Sequence, residues 1–218
     1  MPPFDYGQKV DPQLFDKQLN ASVTINIQEY IGKGWEMFKE HIGEFVGFTL
    51  LIFALSVLSS KMAFTGSLVF SAVAAPFYAG YSIAAFRLSS GKPFEFGDFF
   101  KGFNYFLPLF LAGLAGGLLV SLGLVLLVIP GIYLAVAYMF TTFLIIDYRM
   151  EFWQAMETSR QIISRHWFAF FGFGFALFAI NMLGVIALGI GLLVTIPVTS
   201  CAAAIAYKEI MGFYSEEW

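Results

Sequence analysis

Charged side chains are scarce in this sequence. Asp, Glu, Lys and Arg make up 12% of the 218 residues, whereas soluble domains contain about a quarter. Hydrophobic residues make up 59%, and a soluble core of this size could not bury so much apolar surface. A lipid bilayer can accommodate it, so the composition predicts a protein that crosses the membrane several times.

Reactive groups are also few. The single cysteine, Cys201, lies in an apolar stretch, so an intrachain disulfide and a cysteine-based metal site are excluded. The two histidines, His41 and His166, stand at predicted span entrances, where interface packing is favoured over a ligand or general-base role. The chain has no HExxH or GxSxG motif, no paired aspartates in a span and no phosphate-binding glycine loop. The net charge of −3, without a basic run, gives no argument for nucleic acid. We therefore expect no enzymatic activity, no cofactor and no metal.

Long uncharged runs dominate what is present. Gly102–Ile146 carries no charged side chain and is interrupted once, at Ile129-Pro130-Gly131. Since about 20 apolar residues cross a bilayer as a helix, this run predicts two spans joined by a tight turn. Comparable stretches lie on either side of it. The sequence therefore predicts an all-α bundle of six spans, at roughly 43–60, 64–88, 104–128, 131–147, 167–188 and 192–211.

Amphipathic segments precede each predicted pair of spans. Apolar residues recur at helical spacing in 27–42 and in 150–166, and a shorter segment lies near 96–103. Lys33-Gly34 and Lys101-Gly102 occupy similar places, as do Pro76 and Pro197 in their spans. The pattern favours a threefold internal repeat of surface helix, span and span, although apolar sequences also share letters by chance.

The distribution of cations predicts the orientation. Of the twelve Lys and Arg residues, all but Lys61 fall on the side that holds both termini and the long connections. Because excess Lys and Arg mark the cytoplasmic face, we expect both termini in the cytoplasm. The chain then divides into a polar arm at 1–26, one membrane domain at 27–211 and a tail at 212–218.

Polar residues within the spans form one candidate site. Asn181 is the most polar side chain deep in a span, and Thr141, Thr142 and Thr199 are weaker candidates for the same polar seam. Hydrogen bonding between helices explains these residues most simply. The lack of ionisable groups disfavours ion-coupled transport but leaves open a pathway for a neutral or lipidic substrate.

The amphipathic segment 150–166 is a second candidate site. Its mixed charges do not suit simple capture of anionic lipid. It could instead dock a protein or encircle the bundle at the interface, and the candidate contact residues are Trp153, Glu157, Arg160, Gln161 and Arg165. Membrane lipids are expected partners, together with a membrane-protein partner or a second copy of the chain.

One part of the sequence resembles a known group of proteins. The resemblance rests on Ile129-Pro130-Gly131-Ile132-Tyr133, on Leu144-Ile145-Ile146-Asp147, on the helix segment from Phe152 to Arg160 with Ala155 and Ser159, and on His166-Trp167. These motifs resemble a broad group of bacterial six-span inner-membrane proteins of uncharacterised function. They are also similar to the membrane domain fused to some glycerophosphodiester phosphodiesterases.

The resemblance implies a place in the bacterial inner membrane but no activity. Its motifs contain no catalytic residues, and the chain has no phosphodiesterase domain. We therefore expect a non-enzymatic scaffold or accessory subunit of a membrane complex. The alternative is a passive or lipid-handling transporter that uses the polar seam around Asn181.

Overall fold

The computed structural model describes residues 25–61 and 63–214, and every regular element within these ranges is a helix. This confirms the predicted all-helical class. Most of the predicted arm lies outside the described residues. Five stretches are long and apolar enough to cross a membrane, which makes this a multi-pass membrane protein: Ile42–Lys61, Phe96–Leu126, Val128–Tyr148, Trp167–Ile186 and Leu192–Met211.

The helices follow one another with short connections. Their bounds are α1 (Ile27–Glu40), α2 (Ile42–Lys61), α3 (Ala63–Ser89), a 3₁₀ segment (Phe96–Tyr105), α4 (Phe106–Leu126), α5 (Val128–Ala137), α6 (Thr141–Tyr148), α7 (Phe152–Ser164), α8 (Trp167–Ile186) and α9 (Leu192–Met211).

Contacts between neighbours show three antiparallel pairs. In the first, Phe45 and Thr49 of α2 contact Tyr81 of α3, and Ser59 near the end of α2 donates a hydrogen bond to the carbonyl of Gly66. The pair α4 and α5 and the pair α8 and α9 are arranged in the same way, with Gly123 beside Gly131 and Asn181 bonded to Thr199. We call α3, α5–α6 and α9 the inner helices, and α2, α4 and α8 the outer helices.

The turn of the middle pair differs from the expected position. The helix breaks at Leu127, which has an extended backbone, and Pro130 and Gly131 lie inside the first turn of α5. A proline is tolerated there because the first N–H groups of a helix have no partner within it. Gly123 and Gly131 instead permit close packing of α4 on α5, since a Cβ added at Gly123 would lie 2.9 Å from the Cα of Gly131.

A second break divides α5 from α6 at residues 138–140. The hydroxyl of Ser159 on α7 donates to the carbonyl of Ala137 (2.7 Å) and accepts from the N–H of Phe140 (3.1 Å). Ser159 is fully buried. It supplies the backbone hydrogen bonds that the interrupted helix lacks, which keeps the break stable within an apolar environment.

The inner helices form the core. Phe86 of α3, Phe143 of α6 and Tyr207 of α9 meet in a triangle, with ring centroids 5.3 to 5.7 Å apart. The first and last of these rings are fully buried, and Phe143 is nearly so. Rings at these separations make favourable aromatic contacts, so one side chain from each inner helix fills the space between these helices near the ends of α3 and α9.

The outer helices present apolar side chains outward. Exposed residues include Phe53 on α2, Leu118 on α4 and Phe168 on α8, the last with 84% of its surface accessible. A soluble protein seldom exposes so continuous an apolar surface. These faces are suited to contact lipid tails.

The amphipathic elements are packed into the fold rather than lying loosely upon it. We call α1, the 3₁₀ segment and α7 the collar, because each packs on an inner helix: α1 on α9, the 3₁₀ segment on α3, and α7 on α5–α6. Small residues lie at all three contacts, namely Gly34, Gly102 and Ser159. The collar surrounds the charged end of the bundle, the end that holds Arg87, Lys101, Arg149 and Lys208.

Candidate functional site

A buried carboxylate lies at the charged end, close to the aromatic triangle. Asp147, the penultimate residue of α6, is 1% exposed. The hydroxyl of Tyr207 donates to its Oδ2 (2.9 Å), and the N–H of Tyr214 lies 3.2 Å from both carboxylate oxygens. A buried carboxylate requires such donors, since burial without them is costly.

The segment after α9 folds back over this carboxylate. Tyr214 stacks on Tyr148 with a centroid distance of 4.9 Å, and Phe213 lies 4.6 Å from Phe86. Lys208 donates to the carbonyl of Ser89 at 2.5 Å and lies over the Phe213 ring. These contacts join the ends of α3, α6 and α9, so the arrangement is suited to hold the inner helices together.

The predicted polar seam lies beside the triangle. A cavity of about 250 Å³ is lined by α3, the α5–α6 break, α8 and α9. Thr142, Asn181 and Thr199 all face it, so the structure brings together three of the four seam residues. Tyr78, Ser82 and Ser200 add further polar groups to its wall.

Asn181 uses only part of its hydrogen-bonding capacity within the protein. Its Nδ2 donates to the carbonyl of Leu177 and to the hydroxyl of Thr199, each at 3.1 Å. Its Oδ1 is buried and has no hydrogen-bond partner among the described residues. The amide therefore both joins α8 to α9 and leaves one acceptor unused.

The fourth seam residue lies apart from the cavity. Thr141 is buried at the start of α6, and its hydroxyl has no hydrogen-bond partner among the described residues. It does not line the cavity that Thr142 lines. Adjacent helical residues point in directions about 100° apart, and here Thr142 points into the cavity whereas Thr141 is buried away from it.

The second predicted site, on α7, has two distinct faces. Ala155, Ser159 and Ile163 are fully buried against the rest of the fold. Trp153 is 60% exposed, and Arg165 at the end of the helix is exposed as well. Any partner would therefore meet the face that carries Trp153.

Charged residues on α7 satisfy one another. Arg160 donates to both carboxylate oxygens of Glu157 at 2.7 and 2.5 Å, and Gln161 donates to the same carboxylate at 2.9 Å. Hydrogen bonding from Arg160 lowers the pKa of the Glu157 carboxyl. This compact network neutralises the helix locally, which leaves Trp153 as its most prominent exposed group.

An apolar groove of about 360 Å³ lies at the opposite end from the collar. It runs between α2, α3 and the connection from α8 to α9, and Phe53, Phe70 and Leu188 contribute to its walls. The hydrogen-bonded hydroxyls of Thr49 and Tyr81, 2.7 Å apart, lie at its inner side. A groove of this character can accept a hydrocarbon chain.

Two of these features had little signal in the sequence. In the sequence, Asp147 has the pattern of a polar residue at the end of a span. No neighbouring residue indicates that Tyr207, far along the chain, will cover it. Ser159 resembles any small residue on an amphipathic helix. Within residues 25–61 and 63–214, no group of three or more potential metal ligands occurs. Compared with known proteins, the chain matches no family model, no curated protein and no solved structure.

Proposed function

We propose that this protein crosses the bacterial inner membrane six times, with both termini in the cytoplasm. The sixth span is α3, whose 27 residues extend about 40 Å at the usual helical rise, more than the hydrocarbon thickness of about 30 Å. It runs antiparallel to α2, so the two form a hairpin. The cations at the collar end favour a cytoplasmic location for that end by the positive-inside rule.

The repeat proposed from the sequence is supported by how the collar packs. A Cβ at Gly34 would lie 2.8 Å from the carbonyl oxygen of Val198, next to Pro197. A Cβ at Gly102 would clash with the carbonyl of Pro76. Ser159, in the third unit, donates to the carbonyl of Ala137 in the second. A small residue of each collar element thus meets the backbone of an inner helix near its middle.

As a function, we propose a non-enzymatic scaffold or accessory subunit of a membrane complex. The observation that carries this proposal is the triangle of Phe86, Phe143 and Tyr207, which fills the centre of the charged end. A solute path along this axis would have to displace three packed aromatic rings. At the same end, Asp147 accepts from Tyr207 and Lys208 donates to the carbonyl of Ser89, which joins α6 to α9 and α9 to α3 and suits a structural role.

The partner surface proposed is the outward face of α7, centred on Trp153. Tryptophan is enriched at the energetic centres of interfaces, and this one is largely exposed at the interfacial collar. Another membrane protein that inserts an apolar side chain beside this ring would be a fitting partner. The Glu157 and Arg160 network would then form a polar rim.

Purification of the tagged protein in a gentle detergent tests this role. We expect a protein partner at fixed stoichiometry, reduced at least tenfold by Trp153→Ala. Phe168→Ala is the matched control, because Phe168 is an aromatic residue on the outer helix α8 that is even more exposed than Trp153. A protein that purifies alone, or a partner lost equally from both variants, would contradict the proposal.

A second candidate function rests on Asn181. Its unpaired Oδ1 beside a cavity with several hydroxyl groups suits a lipidic substrate that brings a hydrogen-bond donor. Asn181→Leu should then abolish transfer of a fluorescent lipid across reconstituted vesicles while leaving the fold intact. Met182→Leu, a change on the exposed neighbour, should not alter transfer. Unchanged transfer in the Asn181 variant would remove the seam from consideration.

A further inference from the structure

Two hollows between the helices meet at one side chain. The apolar groove of about 360 Å³ and the cavity of about 250 Å³ beside Asn181 both have Tyr78 of α3 in their walls. Tyr78 is 48% exposed, so its side chain is not packed into the core. On α9, Ile196 borders the groove and Thr199 borders the cavity. The two hollows are therefore adjacent, and we call the one beside Asn181 the seam cavity.

The seam cavity contains hydroxyl groups that the protein does not use. Four of them line its wall, those of Tyr78, Ser82, Thr142 and Ser200. None of the four forms a hydrogen bond with another described residue. The Oδ1 of Asn181 has no partner in the described part of the chain either. Polar groups without partners are costly inside the hydrocarbon region, so this cavity is suited to a ligand that forms hydrogen bonds.

The chemistry of the two walls limits what the ligand can be. No charged side chain occurs among the described residues that line either hollow. A phosphate or an ammonium group would be buried there without an opposite charge, which costs far more than burying a hydroxyl. The Oδ1 of Asn181 can only accept a hydrogen bond. The ligand head must therefore be uncharged and must carry a donor.

The groove, in contrast, is suited to a hydrocarbon chain. Phe53 and Leu188 contribute to its apolar wall, and Phe53 is 58% exposed, so the groove opens toward the bilayer. The hydroxyl of Thr49 at its inner side donates to the carbonyl of Phe45 and bonds the hydroxyl of Tyr81. These two hydroxyls already have partners and do not require one from a ligand.

We propose that the groove and the seam cavity together bind a neutral lipid with a free hydroxyl, of the diacylglycerol class. One acyl chain lies in the groove, the glycerol passes Tyr78, and its hydroxyl donates to the Oδ1 of Asn181. The ester carbonyls accept from hydroxyls of the seam cavity. This assignment rests on the second candidate function, since it names the lipid that the Asn181 cavity would take.

Competition binding to the full-length protein in detergent tests the assignment. The probe is radiolabelled dioleoylglycerol, and the competitors are unlabelled dioleoylglycerol, its acetyl ester and dioleoyl phosphatidylglycerol. We expect the last two to compete at least tenfold more weakly than dioleoylglycerol. The acetyl ester lacks the donor and leaves the Oδ1 of Asn181 unpaired, and the phospholipid brings a charge. Equal competition by either compound would overturn the proposal.

Two kinds of variant test the two halves of the site. Asn181→Leu removes the acceptor, so dioleoylglycerol and its acetyl ester should then bind equally. Ser56→Phe places a large ring in the groove and should weaken dioleoylglycerol binding at least tenfold, which keeps the proposal testable if the Asn181 variant does not fold. Ala54→Phe is the matched control, because Ala54 is exposed on the same helix and does not line the groove. Equal binding by the two phenylalanine variants would overturn the groove assignment.

Binding and transfer can fail separately. Lipid transfer that continues without selectivity for the free hydroxyl would overturn the diacylglycerol assignment and leave the second candidate function in place. Selective binding of dioleoylglycerol without transfer would overturn that function and support the site.

Discussion

Substitution of Gly34 by alanine should loosen the collar from the inner helices. The new Cβ would lie 2.8 Å from the carbonyl oxygen of Val198 and 2.9 Å from the backbone nitrogen of Ala202. Both obstacles are backbone atoms of α9, so no side-chain rotation relieves the clash. Either α1 moves outward or α9 deforms, and overpacking of this kind costs about 1–3 kcal/mol.

Gly32 provides a matched control on the same helix. A Cβ at Gly32 meets no atom within 4 Å, so Gly32→Ala should receive only the higher helix propensity of alanine, which stabilises by about 1 kcal/mol. The Gly34 variant receives the same gain and also suffers the clash. The difference in melting temperature between the two variants therefore isolates the cost of the clash.

The single cysteine gives a convenient assay. Cys201 is fully buried on α9, so a thiol-reactive dye should label it only when the bundle opens during heating. At roughly 2–4 °C per kcal/mol for a chain of this size, Gly34→Ala should melt roughly 2–12 °C below Gly32→Ala. Equal melting temperatures, or a higher one for the Gly34 variant, would refute the packing account.

Further substitutions test other contacts. Gly102→Ala should destabilise the 3₁₀ contact with α3, whereas Gly97→Ala, which meets open space, should not; equal melting of the two would contradict the clash. Tyr207→Phe removes a donor from the buried Asp147 carboxylate and should lower the free energy of unfolding by about 1–3 kcal/mol; an unchanged melting temperature would contradict that role. The pKa of Glu157 is lowered in the folded state by Arg160, so its stabilisation is present at neutral pH and is lost as the pH falls below about 4.5 through the lowered value. Glu157→Gln should flatten that acid-side loss in a pH series of melts, and an identical pH profile would count against the ion pair.

Composition and periodicity were sufficient to predict helices, because long uncharged runs and amphipathic stripes reflect local physics. The two breaks in the middle pair were harder to foresee. Pro130-Gly131 indicated a turn, yet the chain turns at Leu127, because the first turn of a helix accepts proline. The break at 138–140 has no glycine or proline and depends on the hydroxyl of Ser159 from another element.

Candidate sites were predictable to a similar degree. Asn181 and Thr199 face each other because α8 and α9 form a hairpin. Two polar residues in consecutive spans could therefore be predicted to meet. Thr141 was placed in that seam because sequence proximity cannot distinguish the faces of a helix whose start is unknown. Lys101 and Arg149 line one cleft at the charged end, and only the packing of the 3₁₀ segment near α6 brings them together.

The six-span arrangement underlies every proposal made for this protein, and its topology can be measured directly. Single cysteines replacing Lys61 and Gly91, in a background where Cys201 is changed to alanine, would be labelled in intact cells with a membrane-impermeant maleimide. The account predicts labelling at position 61 from outside and labelling at position 91 only after the membrane is permeabilised. Labelling of both positions from the same side would contradict the α2–α3 hairpin and with it the six-span arrangement.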